Sequence, residues 1–122
     1  MILTITLNPA IDLLIELDRL EPETVLRAET AVRVPGGKGV NVARMASHLG
    51  SAAHAVVVAG RDTAAEYAML ANARGLSVEL VTTPGPTRTN IGLHETARGR
   101  HFKINTTGGL VGAAELAAIE GA

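Results

Sequence analysis

Residues Ile2 to Leu7 are mostly apolar and end at Asn8-Pro9, the pattern of a buried strand closed by a turn. Ile11 to Leu17 and Leu26 to Val34 read as two further strands. In the second, Leu26, Ala28, Thr30, Val32 and Val34 fall on one face and Arg27, Glu29 and Arg33 on the other, which suits a half-exposed hairpin better than a central parallel strand. After a glycine-rich turn, Val42, Met45, Ala46 and Leu49 recur at helical spacing until Gly50 supplies a stop. Ala53 to Ala59 is the next strand. Thr63 with Glu66 has the form of a capping box opening a helix to Arg74, Gly75 terminates it, and Ser77 to Val81 follows as a strand. Beyond the turn Pro84-Gly85-Pro86, Arg88 to Glu95 and Arg100 to Asn105 read as a hairpin around Ala97-Arg98-Gly99. Gly108-Gly109 leads into a last helix over Ala113 to Ile119. Alternating strands and helices predict an α/β fold, a parallel sheet covered by helices with polar hairpins emerging from it.

Composition narrows the chemistry. A chain of 122 residues holds one domain at most and buries about two-thirds of its unfolded surface. Its 47% apolar content is aliphatic, with Tyr67 and Phe102 the only aromatic residues among Phe, Tyr and Trp, so aromatic platforms for stacking bases are absent. A formal charge of −1 with interspersed signs gives no footprint for nucleic acid or an anionic membrane, and small ligands are the expectation. The lack of cysteine excludes disulfides and thiol nucleophiles. His48, His54, His94 and His101 show no metal-ligand spacing. The N-terminus lacks the basic start of a signal peptide, Asp12 and Glu16 interrupt it, and Ala55 to Ala59 is too short to cross a bilayer. A cytoplasmic protein is the expectation.

The chemistry concentrates in Pro35-Gly36-Gly37-Lys38-Gly39-Val40-Asn41-Val42-Ala43-Arg44, a glycine turn opening a helix with a lysine inside it. Glycines let backbone N–H groups turn inward, a helix start adds positive potential, and the lysine is a mobile point charge suited to phosphate. It is not a Walker loop, because Gly39 follows Lys38 where Ser or Thr is required. It is not a dinucleotide fingerprint either, because Val42 stands where a third glycine or alanine belongs. On residues alone, a plain strand-to-helix turn with a solvated lysine remains an equal alternative.

A second stretch, Thr6-Leu7-Asn8-Pro9-Ala10-Ile11-Asp12, shifts the balance. Together the two resemble the signatures of the ribokinase-like PfkB family of sugar kinases, in particular its branch of 1-phosphofructokinases, tagatose-6-phosphate kinases and type II 6-phosphofructokinases. Thr87-Arg88-Thr89-Asn90 and Lys103-Ile104-Asn105 add weaker matches, and the likeness covers essentially the whole chain. It implies a ribokinase-like α/β fold, the N-terminal part of a central, mostly parallel sheet, with a small β lid from strands at about 11–34 and 87–105.

The resemblance also implies roles. Asp12, Asn41 and the backbone of Gly36, Gly37 and Gly39 would bind sugar hydroxyls. Lys38 and Arg88 would hold the substrate phosphate, with Asn90 and Lys103 assisting. Type II 6-phosphofructokinases can lack the lysine at position 38, so its presence points to the other branches. The implied reaction is ATP-dependent phosphorylation of a ketose phosphate, most like fructose 1-phosphate to the bisphosphate. Tagatose-6-phosphate or fructose-6-phosphate kinase, or a non-catalytic sugar-phosphate-binding module, are the alternatives. A homodimer through the lid strands is a further expectation. The family's nucleotide loop and catalytic aspartate lie in a later GAGD-type segment that nothing here matches. No catalytic residue is therefore expected among these residues, and the general base is expected beyond Ala122. The expectation is an N-terminal sugar-phosphate-binding part, inactive alone, with MgATP held mainly elsewhere and unpaired sheet edges left open. Thr106-Thr107-Gly108-Gly109 replaces the branch's common Glu-Pro-Gly-Pro.

Overall fold

The apolar run at Ala55–Ala59 becomes the middle of β4 (Ala53–Gly60), flanked on both sides by parallel partners, β1 (Ile2–Thr6) and β5 (Val78–Thr83). These features come from a computed structural model that describes residues 1–122. A strand covered on both faces has no reason to alternate. Ala55 and Val57 join Val40 and Ala43 of α1 (Lys38–His48) and Tyr67 of α2 (Ala64–Asn72) in one cluster. Val56 and Val58 pack with Val81 on the other face, against Val111 and against Ile119 of α3 (Ala113–Glu120). α3 ends at Glu120, and Gly121 and Ala122 close its last turn, the Ala122 N–H donating to the Ile119 carbonyl at 3.1 Å. The outer edge of β1 has no strand partner in the chain, and Leu3 and Ile5 on it are exposed. No helix is long and apolar enough to cross a membrane.

The remaining strands form a second sheet in the order β3-β2-β6-β7, from β2 (Ala10–Leu17), β3 (Thr30–Gly36), β6 (Arg88–Glu95) and β7 (Arg100–Asn105). Both expected hairpins are there, β2 antiparallel to β3 and β6 antiparallel to β7. β2 and β6 lie side by side in parallel and fuse the two hairpins into one sheet, a pairing that the sequence reading left unspecified. The connections explain it. β2 follows β1 and β6 follows β5, so both leave the carboxyl end of the parallel core sheet in the same direction. β3 and β7 run back toward it and must be antiparallel.

Three local expectations are corrected. The strand expected over Leu26–Val34 begins only at Thr30, because the β2–β3 ladder ends where Glu16 meets Thr30, and before it only the Glu29 N–H reaches β2, donating to the Glu16 carbonyl at 2.7 Å. α1 buries Val40, Ala43 and, of the expected stripe, only Ala46, whereas Val42, Met45 and Leu49 are exposed. Small side chains let the helix sit close on β1 and β4, so size rather than hydropathy chose the face. Thr63 does not close a capping box. Its hydroxyl donates instead to Thr87 Oγ1 (2.7 Å), which also accepts from the Gly60 N–H, and Glu66 pairs with Arg33.

The far end of the second sheet is clamped by one carboxylate. Glu95 is fully buried and accepts from the Leu20 N–H (2.8 Å), from Arg98 Nη1 (3.1 Å) and from Arg100 Nε and Nη2 (2.7 and 3.1 Å). The Arg100 fork is the main reason that its pKa falls from 4.5 to about 2, with the Leu20 N–H and the Arg98 charge adding to the effect. A depressed carboxyl pKa stabilises the fold above the unfolded value and loses that contribution as pH falls through the folded one. The wild type is therefore expected to melt above Glu95→Gln near neutral pH, with the gap closing as pH drops from 4.5 toward about 2. A gap of equal size across that range in thermal melts would refute the clamp.

Candidate functional site

Asp12 in β2 stands in register with Asn90 of β6, and Asn90 with Asn105 of β7. Residues in register share a sheet face, so these three form a polar row. The next row on that face is Leu14, Gly92 and Lys103. The two rows line a cavity of about 200 Å³ near the carboxyl end of the core strands, where open α/β sheets characteristically hold ligands.

Two acceptors in this cavity have no partner. Asp12 Oδ1 and Asn90 Oδ1 are buried without a hydrogen bond. Each such atom costs about 1–3 kcal/mol, and the pair calls for donors such as hydroxyl groups. Arg88, opposite Ala10 at the start of β6, gives Nη2 to the Asn8 carbonyl (3.3 Å) while its Nε is buried and unpaired. The site thus combines bare acceptors with a guanidinium that has capacity for an anion.

The glycine turn closes on the same place. Gly36 pairs with Ala10, and a Cβ on it would lie 2.6 Å from Asp12 Oδ2, so only glycine leaves the carboxylate its position. Gly37 adopts φ +140°, a conformation L side chains rarely take, and a Cβ there would also strike Thr6 Cγ2 at 2.7 Å. Lys38, Gly39 and Asn41 occupy the first turn of α1, where no side chain caps the free N–H groups. Asn41 and Lys38 are both exposed at the turn's rim. Asp12, Asn90 and Lys103 therefore meet in one cavity with Gly36 beside them. Gly37, Lys38, Gly39 and Asn41 form the adjoining helix start, and Arg88 stands at the base.

Sequence reasoning missed two residues. Asn105 was legible, because a hairpin turning at Ala97-Arg98-Gly99 sets it opposite Asn90. Tyr67 was not. It is fully buried, and its hydroxyl donates to the Gly36 carbonyl at 2.8 Å. Burial, helped by the negative Asp12 nearby, raises its pKa well above that of an ordinary tyrosine, so it remains a donor. The unexpected Thr106-Thr107-Gly108-Gly109 has a local account too. Thr106 extends the β6–β7 ladder through Oγ1, which accepts from the Thr89 N–H (2.8 Å), and Gly108 and Gly109 lie against Asn8 and Gly85.

A family profile described as "pfkB family carbohydrate kinase" matches residues 5–120. The chain is 40% identical over 114 residues to the 1-phosphofructokinase of Xanthomonas campestris pv. campestris, covering 93% of this chain and 36% of that protein. It is 33% identical over 119 residues to ATP-dependent 6-phosphofructokinase isozyme 2 of Escherichia coli, covering 98% of this chain and 38% of that one. The crystal structure of phosphofructokinase-2 from Escherichia coli in complex with fructose-6-phosphate superposes with a TM-score of 0.87 at 32% identity, over 98% of this chain and 40% of that one. The chain thus spans 36% to 40% of the length of these relatives.

Gly36→Ala tests the arrangement directly. It is expected to keep the far-UV circular dichroism of the fold while abolishing thermal stabilisation by any sugar phosphate that stabilises the unsubstituted protein. An undiminished shift would mean that the place of Asp12 beside Gly36 is not needed.

Proposed function

The chain belongs to the pfkB family of carbohydrate kinases, and from that membership we propose that it binds the sugar phosphate in ATP-dependent phosphorylation of a ketose phosphate, fructose 1-phosphate becoming fructose 1,6-bisphosphate. The observation that carries this reading is the pair of buried, unpartnered acceptors on Asp12 and Asn90 in a small polar cavity beside a glycine turn. Asp12, Asn41 and the backbone of Gly36, Gly37 and Gly39 hold sugar hydroxyls. Lys38 and Arg88 hold the substrate phosphate, and Asn90 and Lys103 complete the pocket. Fructose 1-phosphate is favoured by Lys38 and by the 40% identity to a 1-phosphofructokinase. Fructose 6-phosphate is the second reading, favoured by the likeness to the Escherichia coli fructose-6-phosphate complex.

A kinase of this family uses ATP and a metal ion. The 122 residues bring no three histidine, aspartate or glutamate side chains into one group. In this reading they are the N-terminal sugar-phosphate-binding part, with lid strands at about 11–34 and 87–105. The general base belongs to sequence beyond Ala122, MgATP is held mainly by residues outside these 122, and the chain alone transfers no phosphate.

Asp12→Ala removes charge-assisted hydrogen bonds, each about 1.5–3 kcal/mol, so the dissociation constant for fructose 1-phosphate is expected to rise at least roughly 100-fold. Isothermal titration with fructose 1-phosphate and fructose 6-phosphate decides between the readings. Tighter binding of the 6-phosphate would overturn the choice of substrate, and binding indifferent to Asp12→Ala would overturn the site.

The same sheet face continues past the cavity through Leu14 and Val32, both 47% exposed, to Glu16, His94 and His101. An apolar strip on an otherwise polar face supports a homodimer built lid against lid. Val32→Glu is expected to give a monomer in sedimentation velocity, and an unchanged sedimentation coefficient would count against this interface.

A further inference from the structure

We propose that Tyr67 is a positioning residue for the ligand held at Asp12: its hydroxyl fixes the Gly36–Gly37 peptide so that the Gly37 N–H faces the ligand and Gly36 stays against the carboxylate. This rests on the reading of Asp12 as a sugar-phosphate ligand.

The Tyr67 ring lies within the cluster formed by Ile11 at the base of the second sheet, Val40 of α1 and Leu76 after α2. It is 0% exposed and has no room to swing. From there the hydroxyl reaches the Gly36 carbonyl at 2.8 Å across 31 residues of sequence. In a trans peptide the carbonyl and the following N–H point in opposite directions. With the Gly36 carbonyl drawn down toward Tyr67, the Gly37 N–H points up and away from the core, and no hydrogen bond within the chain occupies it.

Packing alone does not call for this hydroxyl. The core is otherwise aliphatic, and phenylalanine would fill the same space without a polar atom that burial penalises unless it is bonded. The hydroxyl has one protein partner, and that partner is the carbonyl of the glycine that touches Asp12. Gly36 and Gly37 are the positions where the backbone has most freedom to rotate. An anchor from a rigid helix removes that freedom where the ligand would otherwise have to supply the ordering. The neighbouring ties to β3, from Glu66 of α2 to Arg33 and from Arg74 just after α2 to the Arg33 carbonyl, engage an exposed residue three positions earlier and do not reach the Gly36 peptide.

The test is Tyr67→Phe, which keeps the ring and removes only the hydroxyl, with Glu66→Gln as a control beside it. Binding of fructose 1-phosphate is read by titration calorimetry on the protein carrying these residues, and the Gly37 amide is followed by ¹⁵N–¹H NMR. Tyr67→Phe is expected to weaken binding about tenfold, to move the Gly37 amide resonance in the unliganded protein and to change the melting temperature by only a few degrees. Glu66→Gln is expected to bind as the unsubstituted protein does. In the latter, adding fructose 1-phosphate shifts the Gly37 amide, a measurement that stands even if Tyr67→Phe does not fold. Unchanged affinity in Tyr67→Phe, equal losses in both variants, or a Gly37 amide indifferent to fructose 1-phosphate would overturn the positioning role while leaving Asp12 as the ligand. Failure of the unsubstituted protein to bind either fructose 1-phosphate or fructose 6-phosphate would instead overturn the parent reading, and this proposal with it.

Discussion

The parallel ladder between β2 and β6 is the contact on which the site depends. It runs from Ala10 opposite Arg88 to Leu17 opposite Glu95 and joins two strands whose facing ends in sequence, Leu17 and Arg88, are 71 residues apart. At its base it brings Asp12 beside Asn90. At its tip it delivers Glu95 to the Leu20 N–H and to two arginines. Neither hairpin alone makes a cavity, because each contributes one wall. The ladder exists because two strands of the parallel core, β1 and β5, both hand the chain on at the same sheet end. A core architecture thereby decides which polar residues meet.

Polar groups are distributed unevenly along that ladder. At the tip, the Glu95 carboxylate is saturated with donors and its proton affinity is low. At the base, Asp12 and Asn90 each keep a buried oxygen unpaired, and Arg88 a buried nitrogen. The contrast separates structure from function in physical terms: a satisfied network rigidifies, whereas an unsatisfied one carries a standing cost that a ligand can relieve. Tyr67 belongs to both kinds. It is a satisfied core side chain, yet what it satisfies is the carbonyl of the glycine in contact with Asp12. Surface ties such as Arg33 to Glu66 contribute less than about 1 kcal/mol and do not fix the turn.

The glycines of the turn show how backbone and side chain share one constraint. Gly36 leaves space for the Asp12 carboxylate, and Gly37 takes a backbone angle that allows β3 to end and α1 to begin within one residue. The helix start then stands next to the acceptor row, with Lys38 at its mouth. Close packing of α1 through Val40, Ala43 and Ala46 holds that start against β1.

The sequence by itself determined the element order, the β6–β7 hairpin to the residue, the buried central strand and the two motifs around Asp12 and Gly36 to Asn41, because turns, hydrophobic periods and glycine spacing are local signals. It misjudged most of the buried face of α1, where Val40 and Ala43 join Ala46 in place of Met45 and Leu49 because of the distance to the sheet, a quantity no hydropathy pattern encodes. It misassigned Thr63 and Glu66, whose side chains found partners 24 and 33 residues away in sequence. Only the tertiary structure decided that β2 pairs with β6, that Asp12 and Asn90 share a cavity, and that Tyr67 reaches Gly36. Each of these is a contact between segments whose separation is set by the path of the whole chain, and that path is fixed by how the core sheet is ordered rather than by any stretch of residues read in line.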